Sequence, residues 1–225
     1  KKMRLKRKSL TLQKWKMMKT SNNSRQSILE KIDRFADSKV EKTDFSPIDT
    51  TIYKPIEGTL AECFAAELSA IGSQCHLCAT EDERLSLIRK FIADKKLNNV
   101  YCPDLDFAKK LEVSAVNSGN EMEIDASITD CEALVARTGS VVVSAAGKAG
   151  RQFNIYPPIH IICASSQQLF PYLSDALNAV KMKYGEQLPS FISVITGASR
   201  TADIEKTLVM GAHGPKEVHV FLLTE

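Results

Sequence analysis

The sequence predicts an α/β fold built on a mainly parallel β-sheet, and three observations point there. Between Thr59 and Cys102, helix and strand patterns alternate at the rhythm of βαβ units. The stretches Ile159–Cys163 and Val218–Leu223 are short and largely apolar, as strands covered on both faces are. A chain of 225 residues with 44% apolar and 25% charged side chains can bury about 70% of its unfolded surface without metal or disulfide staples.

The elements follow in order. Ser21-Asn22-Asn23-Ser24 is a polar start, and Ile28, Ile32, Phe35 and Ala36 recur at helical spacing, so an amphipathic helix is expected over about 24 to 38. Pro47 and Pro55 break the irregular stretch from Val40 to Gly58, which reads as a strap laid over the domain. Thr59-Leu60-Ala61-Glu62 is a capping box, its helix shows Leu60, Cys63, Phe64, Leu68 and Ile71 on one face, and Gly72 closes it. A strand around Gln74 to Ala79 leads to a second box, Thr80 to Glu83, whose helix carries Leu85, Ile88, Phe91 and Ile92. Val100–Cys102 reads as the next strand and Asp104–Leu111 as a short helix.

Two apolar runs, Ala133–Ala136 and Val141–Val143, then flank Arg137-Thr138-Gly139-Ser140, which is turn chemistry and predicts a hairpin or sharp bend. Ala145–Asn154 is a basic loop of small residues with Lys148 and Arg151; it fails the phosphate-loop pattern because Ala149 follows Lys148. Pro157-Pro158 directs the chain into the strand from Ile159, and Pro171 opens a helix that runs to Gly185. The strand Phe191–Ile195 stops at Thr196-Gly197, a helix is expected from about Thr201 to Met210, and a last strand ends the chain.

Charge divides the molecule unevenly. Residues 1 to 19 hold nine of the 30 Lys and Arg and no acid, leaving 21 cations against 27 acids in the rest, a net of −6. Residues 1–20 therefore read as a basic, disordered extension, with Met17 or Met18 the natural first residue; 21–57 read as helix and strap, and 58–225 as the principal domain. The basic head alone would carry any nucleic-acid binding, and with Trp15 as its only aromatic that role is not expected. No apolar run approaches the roughly 18 residues of a membrane span. Six cysteines without a secretory signal suggest reduced thiols in a cytoplasmic protein. Cys75-His76-Leu77-Cys78 lacks a second ligand pair, and strand alternation would turn its two thiols apart, so no metal site is expected.

A strand that ends in a tight turn before a helix presents free N–H groups and a positive dipole end, which makes Thr196, Gly197, Ser199, Arg200 and Thr201 the leading anion-binding candidates. Thr138-Gly139, Lys148 to Arg151, and Gly214 in the Gly211–Pro215 turn are expected to meet that loop at the carboxyl ends of the strands. His213, between glycines, is a candidate general acid or base, or a helix-end cap; Asp203 and Glu205 are further catalytic candidates, or complements to a helix dipole. No Ser-His-Asp set and no dinucleotide fingerprint can be read out.

The pieces TDCEALVARTGSVVV, YPPIHIICA and TGASRTADIEKTLVMGAHGPKEVHVFLL, in this order, resemble the LUD domain of lactate utilisation proteins, of the stand-alone lactate utilisation protein C type, over roughly residues 58 to 225. The resemblance implies a three-layer α/β/α fold similar to the ribose-phosphate isomerase, glucosamine-phosphate deaminase and CoA-transferase group. It implies a cytoplasmic subunit that binds no cofactor itself and works with iron–sulfur and glycolate-oxidase-type partners in oxidising L-lactate to pyruvate. The positions that match are Thr138-Gly139, Arg151, His160, Ser199 through Glu205 and His213-Gly214-Pro215. The loop before Arg151 is poorer in glycine than the pattern, and the catalytic glutamate of CoA-transferases has no counterpart, so a shared fold does not imply a shared reaction. An independent enzyme or sensor binding a phosphorylated or CoA-type anion at Thr196–Thr201 is the competing expectation.

Overall fold

Period-two alternation organises the centre of the molecule. In the strand β6 (Ile159–Ser165), His160, Ile162 and Ala164 turn to one face while Ile159, Ile161 and Cys163 turn to the other, and both faces are covered. The computed structural model describes residues 24–34, 53–113, 123–204 and 207–224, with the side chains of 202–208 left aside. The chain divides into units of residues 1–53 and 54–225. In the first, residues 24–34 form a helix, α1, with Ile28, Leu29 and Ile32 all exposed, so the apolar face foreseen there is not buried. The expected strap falls largely outside the described residues.

The second unit carries, in order, α2 (Leu60–Ala70), β1 (Gln74–Cys78), α3 (Glu81–Asp94), β2 (Val100–Tyr101), α4 (Leu105–Leu111), β3 (Ala126–Thr129), β4 (Ala133–Val135), β5 (Ser140–Ser144), β6, β7 (Leu169–Phe170), α5 (Leu173–Tyr184), β8 (Ile192–Ile195), β9 (Arg200–Ile204), β10 (Thr207–Met210) and β11 (Glu217–Leu223). The central sheet has five strands in the order β1-β11-β6-β3-β2, all paired in parallel. This is the mainly parallel α/β architecture that the sequence predicts. A second sheet, β7-β4-β5-β8, holds the hairpin expected around Thr138-Gly139, with β4 and β5 antiparallel.

The local signals explain most of these elements. Thr59 and Glu62 close the capping box of α2, with Glu62 N donating to Thr59 Oγ1 at 3.2 Å and Thr59 N donating to Glu62 Oε2 at 2.9 Å. At α3 the Thr80 hydroxyl accepts from Glu83 N, but Glu83 reaches one residue further back, to Ala79 N at 2.8 Å. Asp104 caps α4 through Asp106 N and Phe107 N.

Packing is layered. Leu85 and Ile88 of α3 and Ala108 and Leu111 of α4 cover one face of the central sheet against Ile128, Ile161 and Phe221. On the other face Phe64 and Leu68 of α2 meet Leu134, Val141, Ile162 and Val220, and α5 closes the outer side of the second sheet through Ala176 and Val180. Each fully buried Leu, Ile, Val or Phe among these stabilises the fold by roughly 1.5–3 kcal/mol relative to exposure.

One element differs from the sequence reading. The helix expected from Thr201 to Met210 is instead the antiparallel hairpin β9–β10, in which Thr201 faces Val209 and Arg200 faces Met210. The stretch carries β-branched Thr201, Ile204, Thr207 and Val209, which favour a pleated surface, and Gly211 ends it with a left-handed φ of 75°.

Candidate functional site

The carboxyl ends of β2, β3 and β6 surround a cavity of about 300 Å³. In parallel sheets this is the end where loops diverge and ligands gather. Arg84, from the first turn of α3, lines it together with Phe107, Thr129, Asp130, Lys148 and Gln168. The Arg84 side chain is only 14% exposed. Its Nη1 donates to Ala164 O at 3.3 Å, its Nη2 lies 2.5 Å from Glu81 Oε2, and its guanidinium sits 5.6 Å from the centre of the Phe107 ring. Its Nε is buried without a partner.

Lys148 and Asp104 form an ion pair of 2.6 Å beside the cavity. The Lys148 ammonium, with the α4 backbone N–H of Phe107, holds the Asp104 carboxyl below its usual range, and Asp104 in turn raises Lys148. Behind the wall, Thr129 Oγ1 lies 2.8 Å from Nε2 of the fully buried His160. Burial pushes the His160 pKa down to about 3, so the ring is neutral at physiological pH. Gln168 ties the rim together: its Oε1 accepts from Ser165 N at 2.8 Å and its Nε2 donates to Cys131 O at 2.5 Å. Burial also pushes the Cys163 thiol up to about 12 and raises Cys102, so both lining thiols stay protonated and are poor nucleophiles.

The residues singled out from sequence do not form one site. Thr138, Gly139, Thr196, Gly197, Ser199 and Arg200 cluster near the amino ends of β1, β6 and β11, remote from the cavity. There Ser140 Oγ links Thr138 Oγ1 at 2.7 Å to Thr196 Oγ1 at 2.8 Å. Arg200 Nη2 donates to Ile71 O at the end of α2. Gly197, with a φ of 78°, lies so close to Ile71 that a Cβ would come within 3.1 Å of it. Ser199 N donates to Pro215 O and Gly211 N to Ser199 O, which seats the Gly211–Pro215 turn, and Gly214 packs against Ser199. Because β9 replaces the expected helix, the helix N-terminus expected after Ser199 is not formed, and Arg200 donates to backbone instead. Thr201 pairs in β9.

Arg151 lies elsewhere again. Its Nη2 donates to Ser190 Oγ at 2.7 Å and its guanidinium covers Phe191, at the start of β8, whereas Thr196 follows the end of that strand. Of the three loops expected to converge, only Lys148–Arg151 reaches the carboxyl side, through Lys148. His213 is exposed in the amino-end turn, Asp203 lies on β9, and Glu205 is outside the described residues. Arg84 and Gln168 lie outside every motif singled out in the sequence, and Thr129 and Asp130, which open the stretch TDCEALVARTGSVVV, are not among its candidate site residues. One signal was available: Arg84 is a cation in the first turn of a helix, where the macrodipole disfavours it.

Among the described residues, no group of three or more His, Cys, Asp or Glu side chains converges as a metal site, and no helix is long and apolar enough to cross a membrane. The LUD domain model matches residues 107–223, just over half of the sequence. This chain belongs to the LUD domain family. The matched stretch contains the cavity wall from Phe107 to Gln168 and leaves Arg84 to the preceding helix.

Similar proteins extend the picture. An uncharacterized protein of Neisseria meningitidis serogroup B is 23% identical over 176 residues, covering 78% of this chain and 72% of its own. Lactate utilization protein C of Halalkalibacterium halodurans is 36% identical over 41% of each chain, and that of Bacillus velezensis is 32% identical over 51% of this chain and 48% of its own. The LUD chain thus spans about half the length, or less, of these two lactate utilization proteins. The crystal structure of a DUF162 family protein from Deinococcus radiodurans superimposes with a TM-score of 0.54 at 18% identity, covering 74% of this chain and 99% of that one, a likeness of fold.

Proposed function

We propose that this LUD-domain chain serves lactate utilisation as a ligand-binding subunit of a cytoplasmic system that oxidises L-lactate to pyruvate. The observation that carries the reading is family membership joined to relatives named lactate utilization protein C. Oxidising lactate removes two electrons and two protons. In this reading the electrons pass to partner proteins that carry iron–sulfur clusters and a glycolate-oxidase-type subunit, and the present chain contributes an anion site. The cavity supports that division of labour: Arg84 and Lys148 provide positive charge, while His160 is neutral and the Cys102 and Cys163 thiols stay protonated.

Disrupting the gene in the native host is expected to abolish growth on L-lactate, to spare growth on pyruvate, and to be reversed by the full chain supplied in trans. Unchanged growth on L-lactate would overturn the reading. Affinity capture of the full chain at low salt is expected to bring down the iron–sulfur partners.

A further inference from the structure

The cavity is larger than lactate requires. About 300 Å³ corresponds to the liquid volume of roughly ten waters, well beyond a three-carbon acid. Its lining is also mixed: Phe107, Pro103 and Ile128 supply apolar surface, and the Arg84 guanidinium lies over the Phe107 ring. The charges select among anions. Arg84 and Lys148 stand among Asp104, Asp130 and Glu81, so a phosphate dianion would enter against three carboxylates. The nearby α3 N-terminus offers nothing in compensation, because Glu81, Asp82 and Glu83 already occupy its first turn.

Arg84, already paired with Glu81, still offers N–H donors to a carboxylate. Of the five N–H donors of a guanidinium, it commits one to Ala164 O and one to Glu81, and Phe107 stacks beneath it. A planar, singly charged carboxylate is the group that matches what remains. We propose that this cavity binds a monocarboxylate with an apolar body longer than that of lactate, its head on Arg84 and its body along Phe107 and Ile128. The inference rests on the functional reading above only in taking this cavity as the ligand site, and it makes the ligand of the chain distinct from the substrate of the system.

Isothermal titration of the full chain with propionate, butyrate, hexanoate, L-lactate and inorganic phosphate tests it. Affinity is expected to rise about fourfold per methylene from propionate to hexanoate, with L-lactate no tighter than propionate and phosphate weaker than both. Affinity independent of chain length, or tightest binding by lactate or phosphate, would overturn it. Arg84→Met is expected to abolish hexanoate binding. Arg84→Lys, which keeps the charge and the helix, is expected to weaken every acid about tenfold while preserving the dependence on length. If both variants bind hexanoate as the parent does, the head group is not on Arg84 and the proposal fails. A chain that ignores hexanoate yet is required for growth on lactate refutes this inference alone; a chain that binds hexanoate but is dispensable on lactate refutes only the functional reading.

Discussion

The two ends of the central sheet use polar residues in opposite ways. At the amino ends of β1, β6 and β11, hydroxyls, glycines and the Arg200 guanidinium are consumed in holding loops together: Ser140 bridges Thr138 and Thr196, and Arg200 caps Ile71 O. At the carboxyl ends, Arg84 lines an open cavity and leaves its buried Nε without a partner; at the amino end Ser73 Oγ is the counterpart, buried against Gly197. Motif-rich loops are thus the scaffold here, and a less conspicuous helix residue carries the binding potential. The contrast predicts that amino-end substitutions change stability, whereas Arg84 substitutions change ligand binding.

The largest effect belongs to Gly139. Its φ is 58°, and a Cβ there would lie 2.7 Å from Leu68 Cα, against the backbone of α2. Backbone cannot swing aside as a flexible side chain can, and Leu68 is fully buried. Gly139→Ala is expected to cost about 3 kcal/mol or more, read from urea midpoints at constant m-value. A loss under about 1 kcal/mol would show that the amino end yields easily and is not a rigid scaffold.

His160, between the two ends, gives the next effect. Its folded pKa of about 3 is below the unfolded value near 6.5, so its contribution is present above about pH 6.5 and lost as pH falls toward 3. Stability should drop by about 1.4 kcal/mol per pH unit in that window from this residue, or about 2 kcal/mol between pH 7 and pH 5. Burial lowers His76 and His219 as well, so the parent profile alone mixes several groups. The difference between the parent and His160→Gln isolates the residue: parallel profiles would mean that His160 is already protonated when folded.

On the carboxyl side, Glu132 is a fully engaged carboxylate, bound by Lys183, Ser144 and Tyr184. Burial alone would raise its pKa, but hydrogen bonds from Lys183, Ser144 and Tyr184 outweigh burial and leave it lowered. Its stabilisation is therefore present above the unfolded value near 4.5 and is lost as pH falls through the folded one. Glu132→Gln is expected to cost about 2 kcal/mol at pH 7, and the gap to the parent should close in acid. A gap that stays constant down to pH 3 would mean that packing of α5 and not the charge is what Glu132 supplies.

How far these regions could be read from sequence follows from how local each signal is. The helices α2, α3 and α4 announce themselves through Thr59, Thr80 and Asp104, because a cap and its first turn lie within four residues. The β4–β5 hairpin was visible in Thr138-Gly139 for the same reason. The β9–β10 hairpin was not: acidic Asp203 and Glu205 suggested a helix start, while the decisive pairing of Arg200 with Met210 spans ten positions. The cavity is less local still, since it joins Arg84 to Ala164 across the sheet, and strand order is not written in any single segment. The length of β8 likewise separates Arg151, over Phe191 before the strand, from Thr196 after it.

The smallest expected effect lies at the cavity rim and separates Asp104's two roles. As the N-cap of α4 it accepts from Asp106 N and Phe107 N; as a charge it pairs with the exposed Lys148. Asp104→Ala removes both and should cost about 1 kcal/mol, the usual worth of a cap, because an exposed ion pair adds little. Asp104→Asn keeps the cap and should recover most of that loss. Removing one carboxylate from the rim also leaves Lys148 unopposed there, so hexanoate should bind the Asn variant more tightly at low salt, and the gain should fade as salt is raised. If the Asn variant is instead as unstable as the Ala variant, Lys148 is part of the scaffold, and the line between committed and uncommitted groups must be drawn around Arg84 alone.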